Sequence, residues 1–157
     1  MYIDRLGAKH TPSKGDVVKD RKGSFAIIFD NKNRILVTAG PHAPEVPELP
    51  GGGIDDGEDA EKAVIREIYE ETAQTVQDYT IKKQWNFDVG FYADDVNEYW
   101  NYQKFYFEIE LKNAKHFFDG KIKTPEGGLS WWQDIKDVKS MNFRATDKEF
   151  LKQHGFI

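Results

Sequence analysis

The stretch Gly51–Gln74 reads GGGIDDGEDAEKAVIREIYEETAQ. Three consecutive glycines open it as a tight turn, and the residues after Gly57 read as a helix starting near Glu58. Asp59 and Glu61 place negative charge in the first turn, where the helix dipole favours it. Ala60, Ala63, Val64 and Ile68 recur at helical spacing and define the face expected to be buried. The other face carries Glu67, Glu70 and Glu71 at i, i+3 and i+4, so three carboxylates meet on one surface. Like charges at that spacing repel by about 0.2–0.5 kcal/mol per exposed pair. Arg66, four residues before Glu70, relieves only part of this. Two readings stand side by side. One is a solvated acidic helix, the ordinary fate of a charge run. The other is half of a site for a hard divalent cation, which a few carboxylates plus substrate phosphates commonly hold.

Outward from the stretch, the chain supplies a scaffold. Leu49-Pro50 leads into the glycines, and Ala39–Pro50 contains Pro41, Pro44, Pro47 and Pro50. Such a run is a stiff loop, neither helix nor central strand. Its His42 reads as an exposed loop residue. Before it, Phe25–Phe29 is a continuous apolar run, and Arg34–Thr38 returns after the turn cluster Asp30–Asn33, which predicts a hairpin with a strand buried on both faces. Residues 1–23 predict an N-terminal extension or short edge strands. After the helix, strands are expected within 75–85, 87–92 and 105–111, where Phe105, Phe107, Ile109 and Leu111 alternate with polar residues. A polar turn spans 93–98 and a loop 112–128. A short strand follows at 129–132, then a helical turn at 134–138. A terminal helix is expected over 146–154, capped by Thr146 and Glu149 and stopped by Gly155.

Bulk properties narrow the class. The 157 residues predict one domain, 1–157, with 39% hydrophobic and 31% charged residues. With no cysteine, thiolate metal sites, disulfides and cysteine nucleophiles are excluded. No apolar run approaches the length of a membrane span, and the chain shows no leader-like start, so the expected location is cytoplasmic. A formal net charge of −5 disfavours nonspecific adhesion to nucleic acid.

The spacing of the stretch carries a resemblance. Gly52, then Glu58 after five residues, then Arg66-Glu67-Ile68-Tyr69-Glu70-Glu71 after seven, resembles the Nudix box, G-x5-E-x7-R-E-U-x-E-E-x-G-U, with U a bulky aliphatic residue. Leu49-Pro50-Gly51-Gly52 matches the usual lead-in. Two positions depart: Ala73 stands for the box glycine that ends the helix in a left-handed turn, and Gln74 for the last aliphatic. Neither is a carboxylate.

The resemblance, specific in the box and loose elsewhere, covers roughly residues 24–154. It implies an α+β fold, a Nudix-type α/β/α sandwich with a mixed central β-sheet. It implies that Glu67, Glu70 and Glu71 hold Mg2+ (or Mn2+). Glu58 would be a structural or more distant metal partner, and Arg66 would orient the glutamates. Glu126, five residues before Trp131, would be the further carboxylate many members bring from a loop. The general base is then Glu67 or Glu126. Gly51, Gly52 and Gly53 would let backbone approach the ligand, and Trp100 and Tyr102, in polar surroundings, are the exposed rings on which a base could stack. The implied reaction is hydrolysis of a diphosphate linkage in a nucleoside diphosphate derivative, by a nucleoside triphosphate pyrophosphohydrolase of the MutT-like kind. Dinucleoside polyphosphate and ADP-ribose are the alternative substrates. A catalytically silent domain binding a nucleotide or a protein partner is the rival reading. A homodimer fits the family resemblance, and a small nucleotide is the partner implied.

Overall fold

The structure is a computed structural model, and it describes residues 1–72, 76–112 and 119–157. The strands are β1 (Tyr2–Ile3), β2 (Lys9–His10), β3 (Val18–Ile27), β4 (Arg34–Ala39), β5 (Gly51–Gly53), β6 (Tyr79–Ala93), β7 (Glu98–Leu111), β8 (Ile122–Lys123) and β9 (Leu129–Asp134). The helices are α1 (Ala60–Thr72), α2 (Ile135–Val138) and α3 (Ala145–Gln153). A six-stranded sheet runs β2-β1-β6-β7-β3-β5, with β1–β6 and β3–β7 parallel and its other pairs antiparallel. A three-stranded sheet runs β4-β9-β8. The fold is α+β, with helices on both sides of a mixed sheet.

Period-two alternation explains the layers. Along β3 and the residue after it, Phe25 and Ile27 face one way and Ala26 and Ile28 the other. The first pair packs with Tyr106 of β7 and with Phe150 and Leu151 of α3. The second packs with Phe107 and Ile109 of β7 and with Val64 and Ile68 of α1. Phe25, Ile28, Val64, Ile68 and Phe150 are essentially without solvent contact. Fully burying such a side chain contributes about 1.5–3 kcal/mol.

Several expectations need correction. The hairpin exists only at its turn: Leu36 N–H donates to Ile28 O, and Phe29 bridges Ile35. Beyond it the strands part, β3 pairing with β7 and β5, and β4 with β9. Both runs are apolar on two faces, so each is buried in a sheet of its own: β3 lies between β7 and β5, and β4 forms one side of β4-β9-β8. The strands expected at 75–85 and 87–92 are one strand of 15 residues, with a bulge between Ile81 and Lys83. Its Trp85, Phe87, Val89 and Phe91 share a face, and Asn86 belongs to the alternation rather than ending it. β7 starts at Glu98, seven residues before Phe105, because Tyr99–Lys104 pairs with both β6 and β3. β3 likewise begins at Val18, inside the expected extension; of the two short strands there, β2 is at the sheet edge and β1 lies between β2 and β6.

Helix ends differ as well. α1 begins at Ala60, since Asp59 is its cap: the Asp59 carboxylate accepts the Lys62 N–H at 2.7 Å. The helix exit at Ala73 and Gln74 lies outside the described residues. α3 begins at Ala145, and Thr146 does not cap it, because its hydroxyl accepts from Lys104 Nζ at 2.9 Å in the core. Glu149 pairs forward with Gln153 instead of back to the cap. None of the described helices is long and apolar enough to cross a membrane.

Candidate metal centre

The site is built where α1 meets β5: Gly51–Gly53, expected to be a tight turn, are a strand, because their backbone pairs with Gly23–Phe25 of β3. Ser24 Oγ on β3 donates to Ala60 O at 2.6 Å and fixes the start of α1 on the sheet. β5 pairs with β3 through Gly53–Gly23, Gly52–Ser24 and Gly51–Phe25. This brings Gly52 under Glu67: a Cβ there would lie 2.6 Å from Glu67 Oε1. At Gly51 a Cβ would run into Ser24 O and the Phe25 ring. These two positions require glycine because another chain segment occupies the space a side chain needs.

Arg66 organises the acids around it. Its Nε and Nη2 donate to both Glu58 oxygens at 2.8 and 2.9 Å, and Nη2 also reaches Gly53 O at 2.9 Å. Nη1 donates to Glu67 Oε1 at 2.9 Å and Glu70 Oε2 at 3.1 Å. The two-pronged pairing with Arg66 holds the Glu58 carboxyl down to about 2. Glu67 is only 6% exposed; burial pushes it up to about 7, and the Glu70 and Glu126 charges add to this while Arg66 opposes it.

Glu126 comes from the loop between β8 and β9. That turn is closed by Thr124, whose N–H donates to Gly128 O and whose hydroxyl accepts the Gly128 N–H, both at 3.0 Å. Oxygen atoms of Glu67, Glu70 and Glu126 then lie within 4.8 Å of one another. Burial raises the Glu126 pKa, and so do the charge and hydrogen bond of Glu70. Three carboxylates this close, with a single guanidinium nearby, form a donor set of hard oxygens that fits a divalent cation.

Glu71, Glu58 and the two rings are not members of that trio. Glu71 is buried, and its Oε2 accepts the Gly51 N–H at 3.0 Å. Burial, then the charge of Glu48, pushes its pKa well up. The charged face of the helix is therefore not the open surface that charge spacing alone describes. Glu58 is engaged by Arg66. Tyr102 is buried, not exposed, because its face of β7 is turned into the core on the α3 side. Trp100 is half-buried and stacks on Tyr102 at 5.6 Å, with its Nε1 donating to Glu98 and the Arg21 guanidinium 4.7 Å over it. Among the described residues, no hydrogen bond or ring contact joins either ring to the three carboxylates. His42 is exposed.

Sequence reading missed Glu48 and Arg144. Glu48 lies four residues before Gly52 with no periodic signal, and its backbone pairs with Thr38. Arg144 Nη1 donates to Glu48 Oε2 at 2.5 Å from almost 100 residues away in the chain. No local pattern could have joined them.

Comparison with known proteins fits this geometry. An RNA pyrophosphohydrolase of Dinoroseobacter shibae is 36% identical over 69 residues, 43% of this chain and 42% of that protein. An 8-oxo-dGTP diphosphatase of Escherichia coli is 38% identical over 61 residues, 37% of this chain and 47% of the relative. The chain thus aligns with less than half the length of these curated relatives. The E. coli dihydroneopterin triphosphate pyrophosphohydrolase structure superposes with a TM-score of 0.63 at 15% identity, covering 88% of this chain and 97% of that one, a likeness of fold. The sequence profile of the NUDIX domain matches residues 19–154, most of the 157, and the chain belongs to that family.

Proposed function

We propose that this protein is a metal-dependent hydrolase of a phosphoanhydride bond in a nucleoside diphosphate derivative, acting as a nucleoside triphosphate pyrophosphohydrolase. The observation that carries the reading is the convergence of Glu67, Glu70 and Glu126 from a helix and a separate loop, within 4.8 Å and beside one arginine. Mg2+, or Mn2+ in its place, bound there would offset the negative charge of the phosphate oxygens and make water a better nucleophile. Glu67, Glu70 and Glu126 are the residues that would hold it, with Glu71 fixing the start of β5 through the Gly51 N–H.

The protein's own groups supply the rest. Water attacks phosphorus, the bond from phosphorus to the bridging oxygen breaks, and the proton passes to Glu67 or Glu126 as general base. Glu67, with its raised pKa, and Glu126, on the loop, both suit that task. At Gly53 nothing lies within 4 Å of where a Cβ would stand, which leaves room for phosphate against the backbone there. The matched stretches in an 8-oxo-dGTP diphosphatase and an RNA pyrophosphohydrolase support a nucleotide with a chain of phosphates as the substrate class.

Product analysis with Mg2+ tests the reading. The panel holds ordinary and oxidised nucleoside triphosphates, ADP-ribose, dinucleoside polyphosphates and triphosphate-ended RNA, with Glu70→Gln and an EDTA control beside the native protein. Cleavage of nucleoside triphosphates by the native protein alone supports it. Binding of nucleotide with no cleavage anywhere would replace it with a silent binding domain.

A further inference from the structure

Glu67 and Glu70 are neighbours because they share α1, but Glu126 comes from a loop, and helical spacing does nothing to keep it beside them. Its oxygens lie within 4.8 Å of theirs, so three like charges meet, and a loop free to move would carry Glu126 out into water. The turn that bears it is instead closed on itself. Thr124 N–H donates to Gly128 O, Gly127 N–H donates to Thr124 O, and Thr124 Oγ1 accepts the Gly128 N–H, each at 3.0 Å. Thr124 is buried, at 8% exposure, although Pro125, Glu126 and Gly127 after it are exposed.

The far end of the turn is set down on β4. A Cβ at Gly128 would lie 2.3 Å from Ala39 O, so glycine is needed for the chain to come that close. Past the turn, Thr38 Oγ1 donates to Leu129 O at 3.1 Å and Ser130 Oγ donates to Val37 O at 2.8 Å, which clips the start of β9 to β4. The base of the loop is therefore fixed by β4. Within the turn, the side-chain bond comes from the Thr124 hydroxyl, two residues before Glu126.

We propose that Thr124 is a positioning residue of the metal centre: its hydroxyl holds the turn in the shape that presents Glu126 to Glu67 and Glu70. The inference rests on the metal-centre reading above and assigns the group that keeps the third carboxylate in place before a cation arrives. Without the hydroxyl, repulsion moves Glu126 away from the two acids on α1. A cation must then draw it back and order the turn, and binding weakens. The effect acts through Glu126 alone, so it vanishes when Glu126 has no carboxylate to present.

The test is Mn2+ affinity, read from the electron paramagnetic resonance signal of the free ion, with no substrate present. The proteins are the native chain, Thr124→Val, Thr124→Ser, Glu126→Ala and the double variant Thr124→Val with Glu126→Ala, each with its metal-free melting temperature. Valine keeps the shape of threonine and removes the acceptor, whereas serine keeps the acceptor and removes a methyl group. Thr124→Val should weaken Mn2+ binding by about tenfold, the lower end for a group that orients a metal ligand. Thr124→Ser should stay within about twofold of native. In the Glu126→Ala protein, the valine should change affinity by less than about twofold, because the two residues act in series. A merely structural turn would lower the melting temperature of Thr124→Val with affinity unchanged, or weaken binding equally with and without Glu126, and either result overturns the proposal. A loss in Thr124→Ser as large as that in Thr124→Val overturns it too. Should Thr124→Val fail to fold, Thr124→Ala removes the same acceptor and is read by the same outcomes. If the native protein binds no Mn2+, the metal-centre reading fails and this inference falls with it. Unchanged affinity in Glu126→Ala takes Glu126 out of the metal centre, and the inference with it. Native binding that Glu126→Ala weakens and Thr124→Val does not removes this inference only.

Discussion

Two ionic clusters sit on opposite sides of the sheet, and they are composed differently. On the α3 side, Lys104 and Arg144 face Asp147 and Glu48, two cations against two anions. Asp147 is wholly buried, and its oxygens accept from Lys104, Tyr106 and Leu49. On the α1 side, Arg66 faces Glu58, Glu67 and Glu70, and Glu126 closes on the last two. The first cluster is balanced and its acid is saturated with donors. The second has several acids to one cation and stands near water. A balanced buried cluster holds the fold in one arrangement. An acidic excess kept together by folding is a donor set that fits an added cation.

Breaking the balanced cluster should have the largest effect. Asp147→Asn leaves the Lys104 charge stranded in the core and should cost about 3–5 kcal/mol in urea unfolding. A loss under about 1 kcal/mol would mean that Lys104 sheds its proton instead. Burial already pulls Lys104 down to about 8, against the attraction of Asp147. In the acidic cluster the order reverses. Glu70→Gln should lower turnover by about 10²–10³ while the melting temperature stays level or rises, because one of several crowded acids is removed. A large drop in melting temperature with turnover intact would make the two clusters alike.

The acidic excess should also show in pH dependence. Glu67 is raised to about 7 from 4.5, so between those values the folded metal-free protein binds a proton that the unfolded chain does not. Metal-free stability should therefore rise as pH falls from about 8 to 5, by up to roughly 3 kcal/mol. Glu67→Gln should flatten the curve, and saturating Mg2+ should too, by keeping the carboxylate ionised. Stability that falls over this range would remove the contrast. The smallest effect is expected at the hinge between the sheet and the acidic cluster. Ser24→Ala deletes the bond to Ala60 O and should cost about 1 kcal/mol, seen as a slight fall in unfolding midpoint.

How far the sequence reached differs between these clusters. Every acid on α1 lies within fourteen residues of the others, and helical spacing alone predicts that Glu67 and Glu70 are neighbours. Spacing could not show that Glu71 turns inward to the Gly51 N–H, which depends on β5 passing under the helix. Glu126 was found through family resemblance; its approach to Glu70 is a matter of a loop closed by Thr124. The rings were misread for a similar reason. Polar neighbours in sequence made Tyr102 look exposed, yet on a strand those neighbours point to the opposite face.

By itself the sequence determined the helix of the box, its buried stripe and the family to which the chain belongs, but not that Gly51–Gly53 form a strand. These depend on residues a few positions apart, where backbone geometry fixes distance. Tertiary structure alone decided that β3 and β4 part into two sheets, that β6 and β7 form one long hairpin, and that Glu48 meets Arg144. Those outcomes join segments far apart in the chain. Their partners are chosen by which buried faces and charges can be satisfied together in one packed core, and no local pattern records that choice.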